Sequence, residues 1–213
     1  MCASTSVDAF HTAPPPSQRE FLRCKRCLLV FVPRAFHLSA AAERAVYERH
    51  HNDPNDPHYR AFLSRLFTPL RARLQDGASG LDFGSGPGPA LSAMFRASGV
   101  ACEDYDPFFA DDRALLARTY DFIASTEVFE HLSDPAAVLR QLLAMLRAGG
   151  WLGVMTKRVT SLEAFAKWHY IRDPTHVTFF SDDTFAWIGE HHGLTVHVES
   201  ADVVLLTARR PAG

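Results

Sequence analysis

Hydrophobic and polar positions alternate in blocks along the chain from residue 80 onward. Short apolar runs typical of buried strands are separated by segments with the spacing of amphipathic helices. The pattern predicts strands over 81–84, 100–106, 122–126 and 151–156, and helices over 89–98, 112–118 and 134–146. Strands that alternate with helices in this way are typical of a doubly wound α/β sheet with mainly parallel strands.

Two further apolar segments lie at the end of this domain, over 194–199 and 203–208. Because only a short turn joins them, they predict an antiparallel hairpin at the end of the sheet. A helix is expected just before the hairpin, with Ser181 or Asp182 as its N-cap and Gly193 as its last position.

The beginning of the chain follows a different pattern. Residues 1–20 are rich in Ser, Thr, Ala and Pro and show no periodicity, so we expect a disordered arm. Over 21–38, the pair Cys24 and Cys27 is followed by an apolar run, which predicts a small cysteine-containing module built from a turn and a short strand.

Two helices are predicted between this module and the main domain. Ser39 is a suitable N-cap for a helix through about His50, and Asp56 followed by Pro57 starts another through about Leu74. The chain is therefore expected to divide into four parts: an arm (1–20), the module (21–38), a helical lead-in (39–76) and one main domain (77–213).

Composition narrows the class of protein. Hydrophobic residues make up 47% and charged residues 22% of the 213 residues, with a formal net charge of -2, as in a globular protein without a basic surface. A nucleic acid partner is therefore disfavoured. No apolar run has the roughly 20 residues of a membrane span, and no signal-peptide pattern is present. Four unevenly spaced cysteines do not form a disulfide framework, so we expect a cytoplasmic protein.

A glycine-rich loop follows the first strand of the main domain. Its sequence is Asp82-Phe83-Gly84-Ser85-Gly86-Pro87-Gly88. Glycines at a sharp strand-to-helix turn leave backbone amides open to a closely approaching ligand, which suits a nucleotide-like cofactor. Such a loop alone is weak evidence, because plain turns also contain glycines.

A second feature follows the next strand. Asp106, before Pro107, is expected at the carboxyl edge of the neighbouring strand, within reach of ribose hydroxyls. Asp104 is the competing candidate, since a small error in the strand end changes which carboxylate faces the ligand. Either residue could also be a solvated turn residue.

Together these motifs resemble those of class I S-adenosylmethionine-dependent methyltransferases, in particular a bacterial branch with an N-terminal cysteine knuckle. The resemblance covers about residues 21–207, and further motifs are Tyr120-Asp121-Phe122-Ile123, Glu127-Val128-Phe129-Glu130-His131 and Leu146-Arg147-Ala148-Gly149-Gly150-Trp151. It implies a Rossmann-like fold and S-adenosylmethionine as cofactor. It also implies that Asp82, Gly84 and Gly86, within a loop that includes Ser85 and Gly88, contact the amino acid part of the cofactor. Asp106, followed by Pro107, would then bind its ribose.

The sequence departs from the family pattern in two places. The stretch 107–119 is too short for a helix and a further strand, so the third strand is expected to be short or absent, with Phe108, Asp111 and Asp112 as local candidates for adenine contacts. The branch often carries two Cys-x-x-Cys pairs that suit zinc, but this chain has one. Although Cys2 and His11 could complete a site, we predict no bound metal.

Candidates for the chemistry lie beyond the strand over 122–126. The carboxyl end of this strand, where open α/β sheets place their ligands, is followed by Glu127, Glu130 and His131. Charged residues at this place can instead serve only to stabilise the start of the next helix. Glu127, His131 and His176 are the predicted catalytic residues, since a carboxylate or an imidazole could accept a proton from the methyl acceptor.

An aromatic segment over 168–180 is expected to form the wall of an acceptor pocket. Trp168, His169 and Tyr170 are its predicted pocket residues, with His169 as a further possible base. The alternative is that the aromatic residues belong to the core and that His176 is only a satisfied hydrogen-bonding group.

Three functions are compatible with these patterns. A methyltransferase acting on a small molecule accounts for all of them. A nicotinamide-dependent oxidoreductase shares the glycine-rich turn, but the glycine spacing and the terminal hairpin favour the methyltransferase. A noncatalytic cofactor-binding or RNA-associated module would rest on the few basic residues near the knuckle, such as Arg19, Arg23 and Arg26.

Overall fold

The structure is a computed structural model that describes residues 1–49 and 53–208. Its strands are β1 (Val7–Thr12), β2 (Glu20–Cys24), β3 (Val30–Phe31), β4 (Ser79–Phe83), β5 (Ala101–Tyr105), β6 (Tyr120–Thr126), β7 (Leu146–Met155), β8 (Thr178–Phe179), β9 (Leu194–Val198) and β10 (Val203–Ala208). Its helices are α1 (Ala40–Tyr47), α2 (Pro57–Arg71), α3 (Ala90–Ala97), α4 (Pro135–Ala144), α5 (Leu162–Ala166) and α6 (Asp182–His192). None of these helices is both long and apolar enough to span a bilayer.

The main sheet has six strands in the order β5-β4-β6-β7-β10-β9. The first four are parallel, and β10 pairs antiparallel with both β7 and β9. The predicted doubly wound sheet and its terminal hairpin are therefore confirmed. In the described chain, a 3-10 turn over Arg113–Ala117 and no strand connects β5 to β6, as predicted for a missing third strand. Edge strand β5 thus leaves its carboxyl end open next to β4.

Local sequence signals set the helix ends. The Asp56 side chain accepts a hydrogen bond from the His58 amide at the start of α2, and Ser181 caps α6 in the same way. Gly193 closes α6 with a φ of 64°, the left-handed conformation that glycine adopts without strain. The first predicted helix ends at Tyr47, and its expected end at His50 lies outside the described residues.

The prediction of a disordered arm over 1–20 is wrong. Strand β1 pairs antiparallel with β2, and a second sheet forms in the order β1-β2-β3-β8. Phe10 also packs edge-on against Phe165, with ring centroids 5.1 Å apart. A two-stranded hairpin needs such cover to be stable, and the covering residues lie far away in the sequence. The predicted module over 21–38 is likewise part of a larger sheet that includes β8 of the main domain.

The main sheet is buried on both faces. Helices α2 and α3 cover one face, where Phe95 packs against Phe122 with ring centroids 4.6 Å apart. Helices α4 and α6 cover the other face around Phe180 and Phe185. With both faces filled, the open carboxyl edge of the parallel strands is the place where this fold can accept a ligand.

Candidate active site

A cavity of about 660 Å³ lies at the carboxyl edge of β4, β5 and β6. Its size is within the range of small-molecule and cofactor sites. Ten of the predicted site residues line it: Asp82, Gly84, Ser85, Gly86, Asp106, Pro107, Glu127, His131, Tyr170 and His176. Residues predicted independently for cofactor and for catalysis therefore share one cavity.

The glycine-rich loop is held against the end of β5. The amides of Gly84 and Ser85 donate to the Tyr105 carbonyl oxygen at 2.8 and 3.2 Å. Gly84 has a φ of 81°, and a Cβ built there would overlap Cγ2 of Val128. Backbone conformation and space thus both require glycine at this position.

Asp106 closes the loop from the opposite side. Its Oδ2 accepts a hydrogen bond from the Gly86 amide at 3.0 Å, and its Oδ1 accepts from the amides of Phe108 and Phe109 at 2.8 and 3.2 Å. Charge-assisted bonds of this kind are stronger than bonds between neutral groups. The carboxylate therefore fixes the relative position of the glycine loop and the chain after β5.

The competing carboxylate, Asp104, is not among the residues that line the cavity. Its Oδ2 lies 3.2 Å from Nη1 of Arg96, and its Oδ1 has no hydrogen-bond partner among the residues in the structure's two described ranges. Of the two candidates, Asp106 lies on the cavity wall.

Asp82 is buried beneath the loop. Burial, and then the charge of Asp104, raise the pKa of Asp82 to about 8. Within the described part of the chain, Asp82 Oδ1 and Ser85 Oγ are buried polar atoms without a hydrogen-bond partner. Unpartnered buried oxygens on a cavity wall are costly unless a ligand meets them, so they fit a hydrogen-bond donor such as the ammonium group of the amino acid part of S-adenosylmethionine.

Glu127 combines backbone strain with an unusual charge state. Its φ is 52°, a value that residues other than glycine seldom adopt. Burial, and then the neighbouring Glu130, raise its pKa to about 8. Its Oε1 is buried without a partner among the residues described. Backbone strain and a carboxyl group with a raised pKa often coincide at functional sites.

Glu130 does not line the cavity and is fully buried. The hydroxyl groups of Tyr170 and Thr156 both donate to its carboxylate, and its backbone carbonyl accepts from the Val177 amide at 2.7 Å. Glu130 therefore supports the wall that carries Tyr170 and does not face a ligand.

Two histidines line the cavity side by side, with the rings of His131 and His176 4.7 Å apart. Nδ1 of His131 lies 3.2 Å from the Thr175 carbonyl oxygen, and Nδ1 of His176 lies 2.8 Å from that of Tyr170. Because a carbonyl oxygen only accepts, each Nδ1 carries a proton in these bonds, and in the neutral form of His176 the lone pair is on Nε2. Burial, and then the neighbouring His131, lower the pKa of His176, which favours this neutral form.

Three predicted residues do not line the cavity. Gly88, the last residue of the loop, is buried, His169 is exposed, and Trp168 is half-buried against the core under the small sheet. Trp168 stacks on Tyr170 with ring centroids 4.8 Å apart, while His169 Nε2 lies 3.4 Å from Lys157 Nζ. Trp168 precedes a 3-10 turn over His169–Arg172, in which adjacent side chains point in different directions, so only Tyr170 of the three predicted pocket residues reaches the cavity.

The sequence did not indicate that the lead-in helices contribute side chains to the cavity. Side chains from α1 and α2 that line the cavity are Glu43, Tyr47, Tyr59, Phe62 and Leu63. These positions follow the helical spacing that places side chains on one face. The spacing therefore identifies one face of each helix, but the sequence does not indicate what that face covers.

The N-terminal cysteines form a separate cluster. Sγ atoms of Cys2, Cys24 and Cys27 all lie within 4.8 Å of one another, with Cys2 and Cys24 at 3.3 Å. Burial raises the pKa of Cys27 to about 12. At Cys24 burial is outweighed by hydrogen bonds from backbone amides, which lower its pKa to about 7. Cys2 thus joins the pair despite its predicted place in a loose arm, but three thiols are one ligand short of a structural zinc site. The absence of bound metal stays a prediction.

Comparison with known proteins points to one family. A family model described as a methyltransferase domain matches residues 55–199. A ubiquinone biosynthesis O-methyltransferase from Parvibaculum lavamentivorans is 39% identical over 64 residues, which are 30% of this chain and 25% of that protein. The match thus spans about a quarter of this relative's length.

Solved structures share the fold. A 1,6-didemethyltoxoflavin-N1-methyltransferase from Burkholderia thailandensis, with bound 1,6-didemethyltoxoflavin and S-adenosylhomocysteine, gives a TM-score of 0.57 at 15% identity over 92% of this chain and 96% of that chain. A magnesium protoporphyrin IX methyltransferase from Synechocystis PCC 6803 gives 0.50 at 13% identity over 83% and 95%. At such identities the likeness concerns the fold alone.

Proposed function

The chain belongs to the methyltransferase-domain family, and on that premise we propose that it transfers a methyl group from S-adenosylmethionine to a small-molecule acceptor. The observation that carries this proposal is the joining of the glycine loop to the Asp106 carboxylate at the edge of the cavity. Without an overall basic charge, the chain favours a small acceptor over a nucleic acid.

The cofactor half of the cavity lies along the ends of β4 and β5. In this proposal, Asp82 and the loop residues Gly84, Ser85 and Gly86 hold the amino acid part of S-adenosylmethionine, whereas Gly88, which does not line the cavity, does not contact it. Asp106 and Pro107 hold the ribose, because the Asp106 carboxylate faces the cavity and has acceptor capacity beyond its three backbone bonds. When bound, the cofactor supplies a sulfonium methyl group that is already activated for displacement.

The acceptor half is formed by Tyr170, His131 and His176, with Glu127 between the two halves. The chain's task there is to orient the acceptor and to exclude water, which the aromatic lining favours. If the acceptor must lose a proton, the Nε2 lone pair of His176 can take it, and the ring of His131 lies beside it. A raised pKa makes Glu127 a second proton-binding group at neutral pH.

Calorimetric titration of the protein with S-adenosylmethionine, S-adenosylhomocysteine and NAD tests this function. We expect the first two ligands to bind at one site per chain and NAD not to bind. Mass spectrometry of ligands that copurify with the protein would then give the chemical class of the acceptor. Binding of NAD in place of the two sulfur-containing ligands would contradict the proposal.

Cofactor affinity is expected to rise with pH between about 6 and 8. In the free protein the pKa values of Asp82 and Glu127 are raised to about 8, so both groups are largely protonated at pH 6. A bound ligand with sulfonium and ammonium charges favours the ionised carboxylates and therefore releases protons as it binds. Each carboxylate that is fully coupled to binding contributes up to about tenfold per pH unit below its pKa.

Titration calorimetry at several pH values, in buffers with different ionisation enthalpies, measures both the affinity and the released protons. S-adenosylhomocysteine, which lacks the sulfonium charge, is the matched control and should show a weaker pH dependence. An affinity for S-adenosylmethionine that stays constant from pH 6 to 8 would show that neither Asp82 nor Glu127 interacts with the positive charges of the ligand.

His176→Ala is expected to separate the two halves of the cavity. The affinity for S-adenosylmethionine should stay within about tenfold of the native value, or ~1.4 kcal/mol, while methyl transfer to an identified acceptor falls much further. Trp168→Ala is the comparison variant, because Trp168 packs under the small sheet and not in the cavity. It should lower thermal stability more than it lowers turnover. Loss of cofactor binding in His176→Ala would place His176 in the cofactor half.

A further inference from the structure

Arg19 lies in the N-terminal part of the chain, just before β2, and only 7% of its surface is exposed. Its guanidinium donates to the backbone carbonyl oxygens of Ile171 at 3.2 Å, Asp173 at 2.7 Å and His176 at 2.6 Å. Burial lowers the pKa of Arg19, although the nearby Asp173 charge opposes this effect. A buried cation is costly unless it is well bonded, so these contacts decide how the local chain is arranged.

The three carbonyl groups belong to one short segment over 170–176, which lines the acceptor half of the cavity. Tyr170, Asp173 and His176 all reach the cavity from it. The segment also has internal bonds: His176 Nδ1 donates to the Tyr170 carbonyl, and the Asp173 carboxylate accepts from the Thr175 amide at 2.9 Å. Arg19 itself does not line the cavity, so it binds the backbone of this segment from outside the cavity.

A second contact joins the same two parts of the chain. The Val32 amide donates to the Val177 carbonyl at 2.8 Å, and β3 pairs with β8 immediately afterwards. Phe21 and Phe179 pack beneath, with ring centroids 5.6 Å apart. The small sheet therefore supports the end of the segment next to Val177. Arg19 holds the residues before that point, which do not pair with a strand.

We propose that Arg19 is a positioning residue of the acceptor half: its guanidinium holds the 170–176 backbone so that His176 and Tyr170 face the methyl acceptor. The N-terminal hairpin, which carries Arg19 next to β2, then contributes to the geometry of the methyltransferase site. This inference rests on the proposed function for the role of the cavity, while the contacts themselves do not depend on it.

The chemistry of the side chain makes the proposal specific. The planar guanidinium reaches three carbonyl groups through two nitrogens, Nη1 and Nη2. A lysine ammonium is a compact charge on a flexible stem and cannot reproduce this fork. Arg19→Lys therefore keeps the charge but loses the geometry, and Arg19→Met loses both. Arg23→Met is the matched control, because Arg23 lies exposed on β2 over the Phe10 ring.

The direct readout is the titration of His176, followed by NMR in protein with labelled histidine. The groups that face His176 are His131, Glu130, Asp173 and the Tyr170 carbonyl, and burial is the largest reason that its pKa is lowered. Release of the segment should move the pKa of His176 upward, toward its ordinary value of 6.5, in both Arg19 variants. Arg23→Met should leave it unchanged.

Affinity for S-adenosylhomocysteine, measured on the same samples, reports on the cofactor half. We expect it to change by less than about threefold in all variants, because Arg19 does not line the cavity. An unchanged His176 titration in a folded Arg19→Met protein would overturn the proposal. Loss of folding in both Arg19 variants would also overturn it, since Arg19 would then be a general core residue. Failure of the native protein to bind S-adenosylhomocysteine would instead contradict the proposed function.

Discussion

Replacing Gly84 with alanine is expected to weaken S-adenosylhomocysteine binding by at least about a hundredfold. The backbone at Gly84 has a φ of 81°, where a side chain costs about 1–2 kcal/mol. The new Cβ would also overlap Cγ2 of Val128, and relief of such overpacking typically costs about 1–3 kcal/mol. The loop must therefore move away from the end of β5, and the part of the cavity wall that it forms moves with it.

Two matched glycines separate these causes. Gly86 lies in the same loop with a φ of 65°, and Gly99 lies in the turn before β5 with a φ of 80°. A Cβ added at either position would meet no atom within 4 Å among the residues that the structure describes. Gly86→Ala should therefore have a smaller effect on binding than Gly84→Ala. Gly99→Ala should lower the melting temperature without changing the affinity. Equal affinities for native and Gly84→Ala proteins would contradict the assignment of the loop.

Asp106→Ala is expected to weaken binding of S-adenosylmethionine by about 1.5–3 kcal/mol, the range for removing a charged hydrogen-bonding partner. The carboxylate accepts from the amides of Gly86, Phe108 and Phe109, so its loss frees the loop as well as any contact with ribose. Titration calorimetry measures the effect directly.

Asp104→Ala is the control for this prediction. Asp104 pairs with Arg96 and does not line the cavity, so we expect its removal to have a smaller effect on affinity. Titration of both variants with 2′-deoxy and ordinary S-adenosylhomocysteine identifies the ribose ligand, because that residue's loss weakens binding of the ligand with the hydroxyl group more than binding of the 2′-deoxy ligand. A larger penalty at Asp104 would transfer the ribose role to it.

The main domain could be predicted from the sequence because its signals are local. Apolar runs and helix caps such as Ser181 and Gly193 report on neighbours a few residues away. The parallel sheet, its terminal hairpin and the missing third strand follow from the order and spacing of those elements. For the same reason the glycine loop and Asp106 could be placed at the same edge of the sheet.

The acceptor half could be predicted only in part, because it depends on contacts between distant residues. Strand β1 is stabilised by β2 and by Phe165, and nothing in residues 1–20 indicates either partner. In the sequence, Arg19 lies close to the basic residues near the knuckle. In the structure, its side chain instead binds carbonyl groups at 171–176. In the aromatic segment, the residue types are plain from the sequence, whereas the direction of each side chain depends on the 3-10 turn.

In the proposed function the cavity has two halves of different construction. The glycine loop, Asp82 and Asp106 would form the cofactor half at the ends of β4 and β5. The acceptor half would include the 170–176 segment, which the small sheet supports, while side chains of α1 and α2 also line the cavity. Specificity for the acceptor can therefore change through the N-terminal part of the chain without disturbance of the cofactor loop.

The most direct test of the central claim is a crystal structure of the protein with S-adenosylhomocysteine. We predict ligand density in the cavity, with the amino acid end at Gly84 and Gly86 and the ribose beside Asp106. The space between the ligand sulfur and His176 should remain open for an acceptor. Density at a different site, or none under saturating ligand, would contradict the assignment of this cavity as a methyltransferase active site.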